Sequence, residues 1–398
     1  MKMCKEISKD QYYNGYRIEI FPTEDQKEFL DRCIDVGRFI YNWCIEQENK
    51  QYEIHKNDKN EKSFLSYNEL SEMFTKLRKE LDFINSIPYH SARNNIKKVC
   101  RAYDDFFKGN SNKPKFKSKK KSKTNSYETR YECVYFEDNM LKIEGLKSLI
   151  YTKYHSGFDK SYRKFKNTVI SRDNMGRYFI SYSILEPRPL DYFDKNNIKP
   201  LNRAIGVDLN NKKRFALSTG KIFYGPNISR ELVNLKTKQS RVSKDINRRK
   251  KMERTNPSKD CQSKRAKKRL IQLQKQYKRI ANIEENFIQT TTKKIINMRP
   301  KAIVMEDLNV KEMFKNHNIA KNVYHANFYR CIEVMKYKCN KYGIPFMQAA
   351  EDYPSSQLCS KCGNRQEMKL GKSTFKCEKC GFTEDINAAL NLEHLAYC

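Results

Sequence analysis

Along residues 11–22 (QYYNGYRIEIFP) polar and apolar positions alternate among β-forming residues, which predicts a half-buried strand ended by Pro22 and Thr23. The period then lengthens. Thr23-Glu24-Asp25-Gln26 has the form of a capping box, and Phe29, Leu30, Cys33, Ile34, Val36, Gly37, Ile40, Tyr41 and Cys44 follow at helical spacing. Further helices fit 66–81 and 89–107. Alternation returns over 127–186, in YECVYFE, LKIEGL and YFISYSIL. The helical block 23–107 is therefore flanked by β-rich sequence and reads as an insertion into a β domain. Pro187, Pro189 and Pro200 mark a linker.

Beyond Pro200 the pattern changes again. Arg203-Ala204-Ile205-Gly206-Val207-Asp208-Leu209 is an apolar strand ending in a carboxylate, and Arg214–Ser218 and Lys221–Tyr224 are two more strands, joined at Thr219-Gly220. Three strands with a short turn predict an antiparallel meander. A long helical stretch, 228–298, is interrupted at Asn256-Pro257 and reads as a hairpin, with Leu270, Leu273, Tyr277 and Ile280 as its apolar stripe. Lys301–Leu308 is a buried strand with Glu306 and Asp307 at its end; a helix fits 325–342, a short strand 344–350, and an amphipathic helix 384–397.

Charge narrows the partner. The 398 residues carry 80 Lys and Arg against 47 Asp and Glu, a net +33, which calls for a polyanion. Nucleic acid fits; a membrane does not, because no run of 18 apolar residues exists and no basic amphipathic anchor stands out. The polar opening, Met1 to Asp10, predicts no signal peptide and a cytoplasmic protein; richness in Lys, Asn and Ile suggests an AT-rich bacterial genome, and the expected polyanionic partner a nucleoid-associated place. Two segments concentrate the charge. Residues 108–126 hold eight lysines and no acid, with Lys115-Phe116-Lys117 and Lys119-Lys120-Lys121 as candidates for phosphate contact and base stacking; a solvated linker is the alternative. Residues 228–280 hold 19 Lys and Arg and 4 Asp and Glu, with Arg248-Arg249-Lys250 as the candidate contact run; a solvated helix pair is the alternative.

Four of the 13 cysteines form a pattern, Cys359-x2-Cys362, 14 residues, Cys377-x2-Cys380, with a glycine after each second cysteine. Each pair predicts a knuckle, and four thiolates predict a closed tetrahedral zinc site of the structural kind. No thioredoxin-like βαβ context supports a redox reading.

The carboxylates suggest chemistry. A buried strand ending in Asp208, a meander, a later buried strand ending in Glu306, and a last helix opening at Asp385 follow the order of an RNase H-like core. That order predicts Asp208 and Glu306 side by side on adjacent strands, with Asp385 joining them. Clustered like charges are costly, and two Mg²⁺ or Mn²⁺ ions would offset that cost while activating water against a phosphodiester. Asp307 is expected to face away as a structural acceptor.

With these motifs in view the chain resembles the TnpB family, nucleases of bacterial insertion sequences, and their relatives the compact type V CRISPR effectors. The similarity rests on Tyr16-Arg17-Ile18 through Gln26, Arg38–Trp43, Phe106–Lys117, Gly206–Leu209, Met305–Leu308, Tyr353–Gln357 with the four cysteines, and Asp385–Ala389. The resemblance implies a multidomain α/β protein. It would comprise a β-barrel wedge domain (1–22 and 108–200) carrying an inserted helical recognition domain (23–107), and a RuvC-like core (201–354 and 383–398) with an inserted zinc ribbon (355–382). It implies a guide RNA, a double-stranded DNA target beside a short recognition motif, metal ligands at Asp208, Glu306 and Asp385, and Arg365 on the scissile phosphate. Two departures stand out: Thr383 occupies a position that is acidic in many relatives, and no basic tail follows Asp385. A catalytically idle RNA- or DNA-binding regulator, a CRISPR-associated effector and a strand-transferring transposase are the alternatives.

Overall fold

The computed structural model describes residues 10–119, 125–153, 165–189, 191–211, 213–255, 263–308, 326–350, 352–367 and 374–397. They divide into two compact units, Tyr13–Glu186 and Pro187–Cys398 with Met1–Tyr12, whereas the proline pattern suggested a division after Pro200.

The first unit packs three helices and a sheet around one continuous apolar core. Strand β1 (Gln11–Phe21) leads into helix α1 (Glu24–Asn57) through the capping box: Thr23 and Gln26 bond each other's backbone N–H, an arrangement worth about 1 kcal/mol. Gln26 is also buried and donates to Ser148 Oγ and Leu149 O, so the cap fixes the helix to the β region as well. Helices α2 (Tyr67–Glu80) and α3 (Tyr89–Phe107) follow. Strands β2 (Asn125–Glu128), β3 (Tyr135–Glu137), β4 (Met140–Lys142), β5 (Ile150–Thr152), β6 (Phe165–Arg172) and β7 (Tyr178–Pro187) join β1 in a seven-stranded sheet ordered β2-β6-β7-β1-β5-β4-β3. In β7, Tyr178, Ile180, Tyr182 and Ile184 are buried at every second position, the period the sequence predicts.

The second unit is built on a five-stranded sheet ordered β10-β9-β8-β11-β12. After a single turn, α4 (Tyr192–Lys195), come β8 (Ile205–Asp208), β9 (Phe215–Leu217) and β10 (Ile222–Phe223), successive and antiparallel. Helices α5 (Ser229–Thr255) and α6 (Lys264–Ile296) pack as a pair before β11 (Ile303–Met305), which runs parallel to β8; α7 (Phe328–Tyr342) then leads to β12 (Phe346–Gln348), parallel to β11. A two-stranded ladder, β13 (Phe375–Lys376) with β14 (Thr383–Glu384), precedes α8 (Asn387–His394).

Both faces of the five-stranded sheet are covered, and the two-residue strand period decides which residue meets which helix. Ile205, Val207, Ile303 and Met305 join Ile288, Ile295, Phe328 and Met335 of α6 and α7. Val304 turns the other way, to Leu392 of α8. Gly206 also faces α8, and a Cβ there would lie 1.9 Å from Ala389 O, so only glycine allows helix and strand backbones to touch.

The basic hairpin differs from its predicted packing. Ile280 and Leu273 do join Ile228, Leu232, Leu235 and Ile283, but Leu270 and Tyr277 are exposed. Toward the tip, polar pairs replace the stripe: Lys238 Nζ to Gln276 Oε1 at 2.8 Å, Gln239 Nε2 to Tyr277 Oη, and Arg269 to Asp245 at 2.8 Å.

Candidate metal centres and nucleic-acid interface

Strands β8 and β11 pair in parallel with Val207 opposite Met305, so the next residues, Asp208 and Glu306, leave the sheet at matching positions. Both are half-buried. Burial pushes the Asp208 carboxyl up to about 6, against the opposing pull of Lys213 and the Leu209 backbone. Burial, reinforced by the neighbouring Asp208 charge, pushes Glu306 up to about 7, although Ser355 Oγ donates to its Oε1 at 3.3 Å. Two such acids hold protons at pH values where ordinary carboxylates are ionised. The adjacent Asp307 accepts from Gln348 Nε2 at 2.8 Å.

Asp385 is placed differently. The sequence pattern put it in a helix starting at 384, but Thr383 and Glu384 are held in the β13–β14 ladder and α8 begins at Asn387. Asp385 therefore sits in the intervening turn, exposed. Thr374 Oγ1 donates to its Oδ1 at 2.5 Å, and Lys213 Nζ lies 2.9 Å from its Oδ2. These two partners, Thr374 first, hold its carboxyl below the usual range. Lys213 thus relates Asp385 to Asp208 electrostatically, but the three carboxylates are not drawn into one tight set. Among the described residues, the group of metal-ligating side chains whose ligand atoms all lie within 4.8 Å of one another is the four cysteines.

In that cluster Cys359 Sγ lies 3.7 Å from Cys380 Sγ, and Cys362 Sγ 3.6 Å from Cys377 Sγ. Four thiolates at ~2.3 Å from a shared ion would sit about 3.8 Å apart, so the donors fit a tetrahedral zinc ion. The two knuckles are alike: Gly363 N bonds Cys359 O, Gly381 N bonds Cys377 O, and both glycines have φ of +70°, which explains glycine after each second cysteine. Backbone N–H groups of Cys380 and Lys379 pull the Cys377 thiol well below its usual value.

Two asparagines of α8 tie this cluster to the sheet. Asn387 accepts from Ser360 N and donates to Leu358 O, while Asn391 donates to Ser355 O at 2.7 Å and to Leu358 O at 2.8 Å. Both are buried. Sequence reasoning missed them, together with Lys213, Ser355 and Thr374. Asparagines four apart on the buried face of an amphipathic helix are a legible signal, since buried amides need partners; the other three carry none.

Arg365 is exposed on the first knuckle, with Nε 3.2 Å from Gln357 Oε1. The lysine-rich segment is docked at its start. Asn42 on α1 accepts from Lys117 N at 2.7 Å and donates to Lys117 O at 3.0 Å, clasping one residue from both sides. Lys117 Nζ lies 3.5 Å from the Tyr41 ring centroid, and desolvation there lowers its pKa to about 8. Lys119 is 2.6 Å from Asp35; Lys115 and Phe116 are exposed. Lys120 and Lys121 lie outside the described residues. Arg248, Arg249 and Lys250 are exposed on α5, where the two arginines line a groove with Val242, Met252 and Leu270.

Comparison with known proteins adds an independent line. Residues 328–392, which span the cysteine cluster, match the family model "Cas12f1-like, TNB domain", and residues 13–57 match "Helix-turn-helix domain" of the IS605 OrfB type. The latter stretch is here a strand and one long helix. The chain is 23% identical to a "Putative RNA-guided DNA endonuclease" of Streptomyces pristinaespiralis, covering 96% of this chain and 89% of the relative. It is 22% identical to "Putative RNA-guided DNA endonuclease InsQ" of Escherichia coli K12, covering 95% and 91%. These matches agree with the resemblance to the TnpB family carried by the sequence motifs. The chain also shares its fold with the protein in the "Cryo-EM structure of the Cas12f1-sgRNA-target DNA complex", with a TM-score of 0.55 and 15% identity over 93% of this chain and 83% of that one. Among the described residues no helix is long and apolar enough to cross a membrane.

Proposed function

We propose that the chain is an RNA-guided DNA endonuclease: it binds a guide RNA and cuts complementary double-stranded DNA beside a short recognition motif by metal-dependent phosphodiester hydrolysis. The observation that carries this reading is the pair Asp208 and Glu306, half-buried acids at matching ends of parallel strands in a strongly basic chain. Two half-buried acids side by side are costly as structure alone and useful as a seat for divalent cations. The names of the full-length relatives and the basic surfaces support the same reading.

Three antiparallel strands continued by two parallel ones, with helices on both faces, support an RNase H-like (RuvC) core in the second unit. In this reading the seven-stranded sheet is the wedge domain, α1–α3 the recognition helices, and 355–382 a ribbon around zinc. Asp208, Glu306 and Asp385 would hold Mg²⁺ or Mn²⁺, and their hard oxygen donors suit those ions. Ions held there would supply activation of water and stabilisation of the leaving oxygen. The chain's own groups do the placing. Ser355 orients Glu306, Thr374 holds one oxygen of Asp385, and Gln348 keeps Asp307 out of the site. Arg365 and the runs Lys115–Lys121 and Arg248–Lys250 supply positive charge to the nucleic-acid backbone.

The test is Asp208→Ala. Cleavage of guide-matched DNA should fall by at least ~10²–10³-fold, the loss expected when a transition-state contact is removed. Binding of the guide RNA should persist. EDTA should stop the wild-type reaction and Mg²⁺ restore it. Undiminished cutting by Asp208→Ala would move the active site elsewhere.

A further inference from the structure

Two adjacent cations leave β8 for β9 and part ways. Arg214 is buried, its guanidinium 3.3 Å from Glu284 and 2.6 Å from Ala326 O, so it serves the core. Lys213 turns to the carboxylates. Its side chain is only 13% exposed, and Nζ lies 2.9 Å from Asp385 Oδ2. Its charge also reaches Asp208. The contact with Asp385 is an ion pair, and Nζ is shielded from solvent with few of its donors satisfied among the described residues. An ammonium carries three donors, so this one is desolvated and under-bonded. The carboxylates' negative charge holds it there, on a flexible four-carbon stem.

We propose that Lys213 is the internal counter-cation of the carboxylate site: it neutralises Asp208 and Asp385 in the metal-free protein and swings out when divalent ions enter, so that loading exchanges one cation for others. This rests on the metal assignment proposed above. The lysine keeps the acids from repelling each other apart before metal arrives. It also weakens apparent metal affinity, because only the fraction of molecules with the side chain withdrawn is competent to bind.

The exchange is visible without measuring cleavage. The full chain with its copurified RNA is acylated on lysine by a water-soluble N-hydroxysuccinimide ester, with and without Mg²⁺, and modification at Lys213 is read by mass spectrometry. Lys338, buried against Gln289 O and Thr292 Oγ1, and exposed Lys79 serve as internal standards. Lys213 modification should rise severalfold on adding Mg²⁺ while the standards hold constant. Lys213→Met should bind Mn²⁺ on the order of tenfold tighter, since a like charge beside the ion is gone. The affinity is read as the Mn²⁺ concentration that half-saturates the melting-temperature shift. Unchanged Lys213 labelling at Mg²⁺ concentrations that shift the wild-type melt overturns the proposal, as does a Lys213→Met protein that binds Mn²⁺ no tighter. If the Mg²⁺ shift of Asp208→Ala equals that of wild type, it is the metal assignment that fails.

Discussion

The four cysteines and the three carboxylates make an instructive pair. The thiols already stand where an ion would hold them, all within 4.8 Å of one another. The carboxylates are poised rather than assembled: two lie side by side at strand ends, and the third sits in a turn, bonded by Thr374 and paired with Lys213. The difference follows from what supports each donor. Each cysteine pair is set by a five-residue knuckle whose backbone hydrogen bonds and glycine fix the turn. The acids come from three distant segments, and their mutual repulsion works against assembly until cations arrive. A closed site of soft donors suits structure, and an open site of hard donors suits turnover.

Removing each ion in turn gives the strongest test of that contrast. Elemental analysis should find about one zinc per chain. Cys362→Ser with Cys377→Ser should lose it, unfold the ribbon and abolish cleavage, because structural zinc contributes binding energy directly to folding. Stripping Mg²⁺ should abolish cleavage equally but leave the ribbon folded, lowering the melting temperature only by the modest shift that binding of the ion confers. A ribbon that stays folded without zinc would erase the distinction.

A milder break targets the link between the sites. Asn391→Ala leaves the buried Ser355 carbonyl without the side-chain bond seen here, a loss of about 1–3 kcal/mol. Zinc should stay bound while cleavage drops, because Ser355 also orients Glu306. Full activity in that variant would show the two sites to be independent.

The smallest effect comes from an acid outside both sites. Glu48 is buried in the first unit, where its Oε2 accepts from Leu65 N, and burial pushes its carboxyl up to about 7. A carboxyl raised in the folded state contributes most below its unfolded value and loses that contribution as pH rises through about 7. Glu48→Gln should therefore raise the melting temperature of the first unit at pH 8 and change it little at pH 5. Cleavage should be unaffected at either pH, in contrast to Glu306→Gln. Equal shifts at both pH values would mean that Glu48 is not held protonated by its surroundings.

What could be read from the sequence follows the same division between local and distant. The C-x2-C-G repeats announce themselves because all the information lies within five residues. The strand ends at Asp208 and Glu306 are legible because buried strands are short apolar runs, and the first carboxylate after each marks its exit from the sheet. The place of Asp385 was misjudged by a few residues, because a two-residue ladder delays the helix start and leaves no periodicity to detect. Lys213, Thr374 and Ser355 were invisible because single side chains from loops acquire meaning only from what folding brings to them. The hairpin stripe failed at Leu270 and Tyr277, where pairs such as Lys238–Gln276 and Arg269–Asp245 do the joining that the apolar pattern had assigned to packing.

The bare contact between Gly206 and Ala389 has a mechanical meaning. Side chains in a core can be exchanged for others of similar bulk, and the layers they separate will settle at slightly new distances. Here main chain rests on main chain, with no deformable layer between. Asp208 lies two residues beyond the contact on one side, and Asp385 four residues before it on the other. The span between those acids is thus gauged by the polypeptide itself, and it should persist through wholesale replacement of the surrounding apolar residues, provided position 206 stays empty.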